Sequence, residues 1–274
     1  RPAQTGQDGE HSLVLRARKA AGSEKAMPGY YSVAYDDSGI RTEITASQRV
    51  AFYRFTAGKG GFKLLVDAQW NNVRKMQVNR TVVDSETSAG SDSRSFSGRV
   101  RKKCWLDRNV RFKAVFDRPF VSATRLPRPA GDRADRWVLD FGLKEGETLL
   151  AKASVSASSA EGASRNLSEV PHWDFDSVRK TTAERWNELL SAVELPGCDS
   201  DTRTVFYTAL YHSYLQPVLL SDVGEKDFYS AFSLWDTFRA VHPLYTILRP
   251  ETTAPFVESL LEHYRRDGAL PVMP

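Results

Sequence analysis

Part-way along this chain the spacing of apolar residues changes from every second position to every third or fourth. Period two sets apolar side chains on one face of a strand. A period near 3.6 sets them on one stripe of a helix, and neither pattern buries its apolar residues in the other structure. The change divides the chain into a sheet-forming part followed by a helix-forming part.

In the first part Tyr31, Val33 and Tyr35 alternate, and Asp36-Asp37-Ser38-Gly39 supplies a turn. Ile40, Thr42, Ile44 and Ala46 share the face of a second strand. Val50–Thr56 is a third, closed by Gly58-Lys59-Gly60-Gly61, and Phe62, Leu64, Val66, Ala68 and Trp70 alternate in a fourth. Val110, Phe112, Ala114 and Phe116 alternate further on, and 136–141 and 149–158 complete the set. Short alternating runs between turn signals predict an antiparallel β-sandwich over 28–160. The polar segment 1–27 reads as extended or poorly ordered, and the Ser-rich stretch Ser85–Ser97 as a loop.

A linker over 161–175 leads to the helical part, 176–274. Asp174 or Asp176 can cap a first helix carrying Val178, Thr182, Trp186, Leu189, Leu190 and Val193, with Pro196-Gly197 as its stop. Asp201 can cap a second, ended by Pro217. A third spans 234–248 with a break near Pro243. A fourth starts at Thr252 or Thr253, with Pro255 in its first turn and Gly268 as its end. Helices joined by short links predict helical hairpins.

Charge adds little to this. The 38 Lys and Arg against 34 Asp and Glu leave +4, spread along the chain. One basic cluster, Arg99, Arg101, Lys102 and Lys103, reads as a solvated strand end. It lacks the interleaved aromatics of a nucleic-acid surface, so no nucleic-acid partner is expected. No apolar run is long enough to span a membrane. Cys104 and Cys198 lack metal-type spacing, and a disulfide between them stays open.

Three segments carry a resemblance. The first is Pro28-Gly29-Tyr30-Tyr31-Ser32-Val33, continued by 39–50. The second is Val170-Pro171-His172-Trp173-Asp174-Phe175-Asp176, with Trp186-Asn187 after it. The third is 206–213 followed by Phe232-Ser233-Leu234-Trp235-Asp236-Thr237-Phe238-Arg239-Ala240-Val241-His242-Pro243. In this order they resemble glycoside hydrolase family 92, from about residue 28 to the end. The resemblance implies an N-terminal β-sandwich followed by an (α/α)6 barrel, of which this chain holds the first helical hairpins. It also implies a calcium-dependent exo-α-mannosidase that acts on mannose-containing glycans and inverts the anomeric centre. A Glu would serve as general acid and an Asp would activate water. Calcium would hold two mannose hydroxyls. A secreted or periplasmic location is implied by the same likeness.

Inversion needs two carboxylates spaced to admit a water, and calcium needs several oxygen ligands. The resemblance implies that both sets come from later barrel helices, so the expectation is a fragment with its catalytic residues and metal ligands beyond residue 274. Glu225 and Asp227 are read as solvated loop residues, not as the acid and base. What carries over is the wall of a sugar subsite, Trp235 and Asp236, with Arg239 and His242 as further substrate-binding candidates. The residues alone favour a core Trp235 and an Asp236 that caps a helix through Phe238 and Arg239; the resemblance shifts Asp236 to sugar binding. Arg239 could instead orient Asp236, and His242 could be a satisfied packing residue. His172 and Trp173 read as packing between domains. The run from Ser221-Asp222-Val223 to Trp235 is shorter than the family's usual one, which leaves linkage preference open. The competing expectation is a non-catalytic glycan-binding or scaffold protein that keeps the front of the fold.

Overall fold

The computed structural model describes residues 17–68, 82–103, 107–128, 133–231 and 233–271. Trp70, Cys104 and Phe232 lie outside the described residues. The chain divides into two compact units, residues 1–182 and 183–274.

Unit 1 is built on a large antiparallel sheet of order β1-β2-β3-β4-β11-β8-β7-β6 and a small one of order β5-β10-β9. The strands are β1 (Lys25–Met27), β2 (Tyr30–Ala34), β3 (Arg41–Ala46), β4 (Val50–Thr56), β5 (Lys63–Asp67) and β6 (Val82–Ala89). They continue as β7 (Ser95–Lys103), β8 (Asp107–Phe116), β9 (Ser122–Arg125), β10 (Arg136–Asp140) and β11 (Thr148–Ser156). Between the sheets lies a core of Phe55, Phe96, Phe116, Leu139, Phe141 and Leu149, with Leu64, Val66 and Trp137 packed against it. This is the sandwich that the alternating runs predict. The turns at its edge are set by close approach. A Cβ on Gly58 would sit 1.7 Å from the Ser38 carbonyl oxygen, so only glycine lets the two turns meet.

The large sheet is apolar on both faces, which simple alternation does not anticipate. On the face away from the small sheet, Tyr30, Val50 and Phe52 form a second core with Val170, Phe175 and Val178. Helix α1 (Ala160–Asn166), a short 3-10 turn (Leu167–Glu169) and the start of α2 (Phe175–Leu190) follow β11. Thus the segment read as a linker, 161–175, carries its own helix and packs on the sheet. Phe52 is fully buried and meets Phe175 edge-on at 5.4 Å. Phe52→Ala would cost about 3–5 kcal/mol, as large-to-small core changes do.

The Ser-rich stretch Ser85–Ser97 is not a loop. It is a β-hairpin in which Ser85 pairs with Val100, Thr87 with Gly98 and Ala89 with Phe96, and only 90–94 turns. The polar side chains mislead here because two of them point inward and find partners. Ser85 Oγ accepts the Asp135 N–H at 2.8 Å, and Thr87 Oγ1 accepts the Trp137 Nε1–H at 2.9 Å. The basic cluster lies on β7, as a strand end does, with Arg99 paired to Asp84 at 2.6 Å and Arg101 to Asp107 at 2.6 Å.

Unit 2 is helical. The boundary falls within α2, and α3 (Ser200–Ser213), α4 (Leu234–Thr237), α5 (Val241–Leu248) and α6 (Pro250–Asp267) follow. The cap of α2 is one of the two expected, and that of α3 differs. Asp174 accepts from the Ser177 N–H at 2.9 Å and so caps α2. Asp199, not Asp201, caps α3, accepting from the N–H groups of Asp201 and Thr202. Helix α3 stops at Ser213, ahead of Pro217. The expected single helix over 234–248 is two, broken at 238–240 rather than at Pro243, because Pro243 falls in the first turn of α5, where a missing N–H costs nothing. Helix α6 begins at Pro250, leaving Pro255 inside it, and ends on Gly268 at φ 74°. Tyr245 is the buried hub. Its hydroxyl donates toward the carbonyls of Ser213 and Gln216, and its ring meets Phe256 at 5.4 Å and Tyr214 at 5.9 Å. Among the described residues no helix is long and apolar enough to cross a membrane.

Candidate functional site

The short helix α4 presents two adjacent side chains to solvent. Trp235 is 82% exposed, so the reading of it as core does not hold. Asp236 is exposed as well, and its carboxylate makes no hydrogen bond or ion pair among the described residues. Its N–H donates to the Ser233 carbonyl at 3.0 Å, so Asp236 sits inside the helix and does not cap it. An exposed indole and an exposed carboxylate at successive positions have the chemistry to hold a polyhydroxylated ring: the indole packs on C–H groups, and the carboxylate accepts from hydroxyls.

The neighbours on the motif behave differently. Arg239 is exposed, lies 5.5 Å from the centre of the Phe238 ring, and forms no ion pair with Asp236. His242 is partly buried against Tyr245 at 6.2 Å and Phe256 at 6.5 Å. Its Nε2 is buried with no hydrogen-bond partner among the described residues, and burial pushes its pKa down. It packs without being satisfied.

The loop before α4 is a small hairpin bridged between Leu219 and Tyr229. Glu225 and Asp227 are exposed on it, as expected for solvated loop residues. Glu225 accepts the Asp222 N–H at 3.1 Å. The residue that sequence reasoning missed is Asp222, a carboxylate exposed by only 1% on this loop. Only its place beside a buried Ser221 distinguishes it, and that is a tertiary property. His172 and Trp173 belong to unit 1. The Trp173 ring packs on Phe52 at 6.1 Å with the Lys152 ammonium 4.1 Å from its centre, and His172 is exposed. Cys198 is a free thiol.

Among the described residues no three His, Cys, Asp or Glu side chains gather in a way that could hold a metal ion. The described donor set therefore does not fit calcium, and no step below passes through it.

The model of the glycosyl hydrolase family 92 N-terminal domain matches residues 3–156, and that of the family's catalytic domain matches residues 162–274. The class is that of the glycoside hydrolases, and the chain belongs to glycosyl hydrolase family 92. Among solved structures, the family GH92 alpha-mannosidase BT3965 from Bacteroides thetaiotaomicron is similar at 24% identity and a TM-score of 0.82, over 93% of this chain and 38% of that one. The same enzyme in complex with mannoimidazole gives 25% identity, a TM-score of 0.82, and 93% and 37% coverage. The inverting mannosidase BT2199 of the same organism gives 23% identity and 0.82, over 94% and 37%. The chain thus spans well under half the length of these relatives. No curated protein matched it.

Proposed function

We propose that this chain serves an exo-acting α-mannosidase that removes terminal mannose from glycans with inversion, and that Trp235 and Asp236 form part of the wall of the subsite for that mannose. The observation that supports it is the exposed indole beside an unpartnered carboxylate on α4, within the stretch matched by the family's catalytic domain. The relative with mannoimidazole bound adds to it. In this reading Asp236 accepts hydrogen bonds from ring hydroxyls and fixes the sugar, while the indole excludes water from one face. Arg239, free of Asp236, flanks them as a donor, and His242 lies in the first turn of α5, the next helix. No residue of this chain is assigned the role of acid or base. Calcium dependence, carried by the family resemblance with its ligands outside the described residues, and a secreted or periplasmic location belong to the same proposal.

The test is hydrolysis of an aryl α-mannoside by the enzyme, wild type against Trp235→Ala and Asp236→Ala. Loss of kcat/KM in both variants, with unchanged melting temperature, supports the reading. Unchanged kinetics in both would remove these residues from the subsite.

A further inference from the structure

At one end of the small sheet two arginines converge on a single carboxylate. Arg125 closes β9 and Asp135 precedes β10, while Arg128 lies beyond β9. Asp135 is exposed by only 2%, and its Oδ1 accepts from Arg125 Nε at 3.1 Å, from Arg128 Nε at 3.1 Å and from Arg128 Nη2 at 2.6 Å, with a further bond from Arg125 Nη2. Its Oδ2 accepts from Thr87 Oγ1 at 2.8 Å, and Thr87 is itself held by the Trp137 indole N–H. The Asp135 N–H is bound to Ser85. The carboxylate is thereby locked from behind by both sheets.

The arginines are in a different state. Their side chains are 52% and 41% exposed, and among the described residues neither has any partner other than Asp135. Each guanidinium carries five donors in a rigid plane. One edge of each is committed to Oδ1, and the Nη1 groups have no partner among the described residues. Two cations share one anion, leaving a surplus positive charge. Two guanidiniums held at one buried carboxylate, each with donors to spare, offer planar bidentate donors to a further anion with several oxygens.

We propose that Arg125 and Arg128 form a binding site for a tetrahedral oxyanion, phosphate or sulfate, free or as an ester on a sugar, with Asp135 as the residue that positions them. The site stands on unit 1 and does not rest on the mannosidase reading.

The experiment is thermal unfolding of the protein titrated with sodium phosphate and with sodium sulfate, ionic strength held constant with sodium chloride. The expected result is a saturable rise in melting temperature that chloride does not reproduce. Arg128→Gln should weaken the apparent affinity at least tenfold. Arg128→Lys, which keeps the charge and loses the fork, should weaken it severalfold, and Arg94→Gln on another part of the surface should leave it unchanged. A mannose 6-phosphate arm assigns the source: binding tighter than inorganic phosphate points to an ester, weaker binding to the free ion, and either upholds the site. An equal rise with chloride, or undiminished affinity in Arg128→Gln, overturns it. Because Arg128→Lys retains the charge, it separates loss of the fork from loss of fold should the Gln variant unfold.

Discussion

Arg54 and Glu43 stand opposite each other on neighbouring strands and share two hydrogen bonds, Nε to Oε2 at 2.8 Å and Nη2 to Oε1 at 3.0 Å. The same guanidinium reaches Asp176 on α2 at 2.8 Å and lies 4.4 Å from the centre of the Phe175 ring. One side chain thus joins β3, β4 and the first turn of α2. Replacing it leaves a carboxylate that is 7% exposed without its main cation.

Arg54→Met should therefore destabilise unit 1. Breaking a buried pair costs about 3–5 kcal/mol, and the partial exposure of Arg54 lowers the expectation to about 2–3 kcal/mol. Urea unfolding measures it. A loss under about 0.5 kcal/mol, the range of an exposed pair, would show that the pair is only a surface contact.

Acid should destabilise the protein through two carboxyls. Burial pushes Glu43 up, but Arg54 and Tyr30 outweigh it and hold it below the usual carboxylate value. Burial likewise pushes Asp135 up, and Arg125, Arg128 and Thr87 outweigh it. A carboxyl depressed in the folded state stabilises it above the unfolded value of about 4, and that stability is lost as pH falls through the folded value. Melting temperature measured from pH 6 to pH 2 should fall most steeply below about pH 4. Asp135→Asn should melt lower at neutral pH and show a shallower fall. An Asn variant with the wild-type profile would mean that Asp135 does not contribute.

For Asp236 the readout is kinetic. A hydrogen bond to a charged acceptor contributes about 1.5–3 kcal/mol, so Asp236→Ala should lower kcat/KM by about one to two decades. The amide of Asp236→Asn keeps one acceptor and should be milder. Since Asp236 makes no capping bond, neither variant should move the melting temperature. A lower melting temperature with unchanged kcat/KM would reverse the assignment.

His242 should add a second pH dependence. Its folded pKa is lowered by burial, so the unfolded chain binds the proton more readily, and stability falls as pH drops below about 6.5 and levels off beneath the folded value. His242→Phe keeps ring contacts with Tyr245 and Phe256 and removes an orphaned Nε2. It should flatten melting temperature between about pH 7 and pH 5, with a neutral or small positive effect at pH 7. A variant that keeps the wild-type slope would place that titration elsewhere.

Sequence by itself determined the order of the two layers, because hydrophobic period is a local property. Tyr31-Val33-Tyr35 and Phe62-Leu64-Val66 can bury their side chains only as strands, and the motif of 232–243 carries the family likeness in its residues alone. The end of α6 at Gly268 was equally legible, since a left-handed residue is a local requirement. Tertiary structure decided what depends on distant partners. Ser85 and Thr87 are strand residues because Asp135 and Trp137, about fifty positions away, satisfy their hydroxyls. Glu43 and Thr45 are buried because 170–178 returns to cover a face that alternation assigns to water. Asp236 is exposed, and Asp222 is hidden, for the same reason. Whether a polar side chain meets water, a partner or nothing is set by what the rest of the chain brings beside it, and no window of neighbouring residues carries that information.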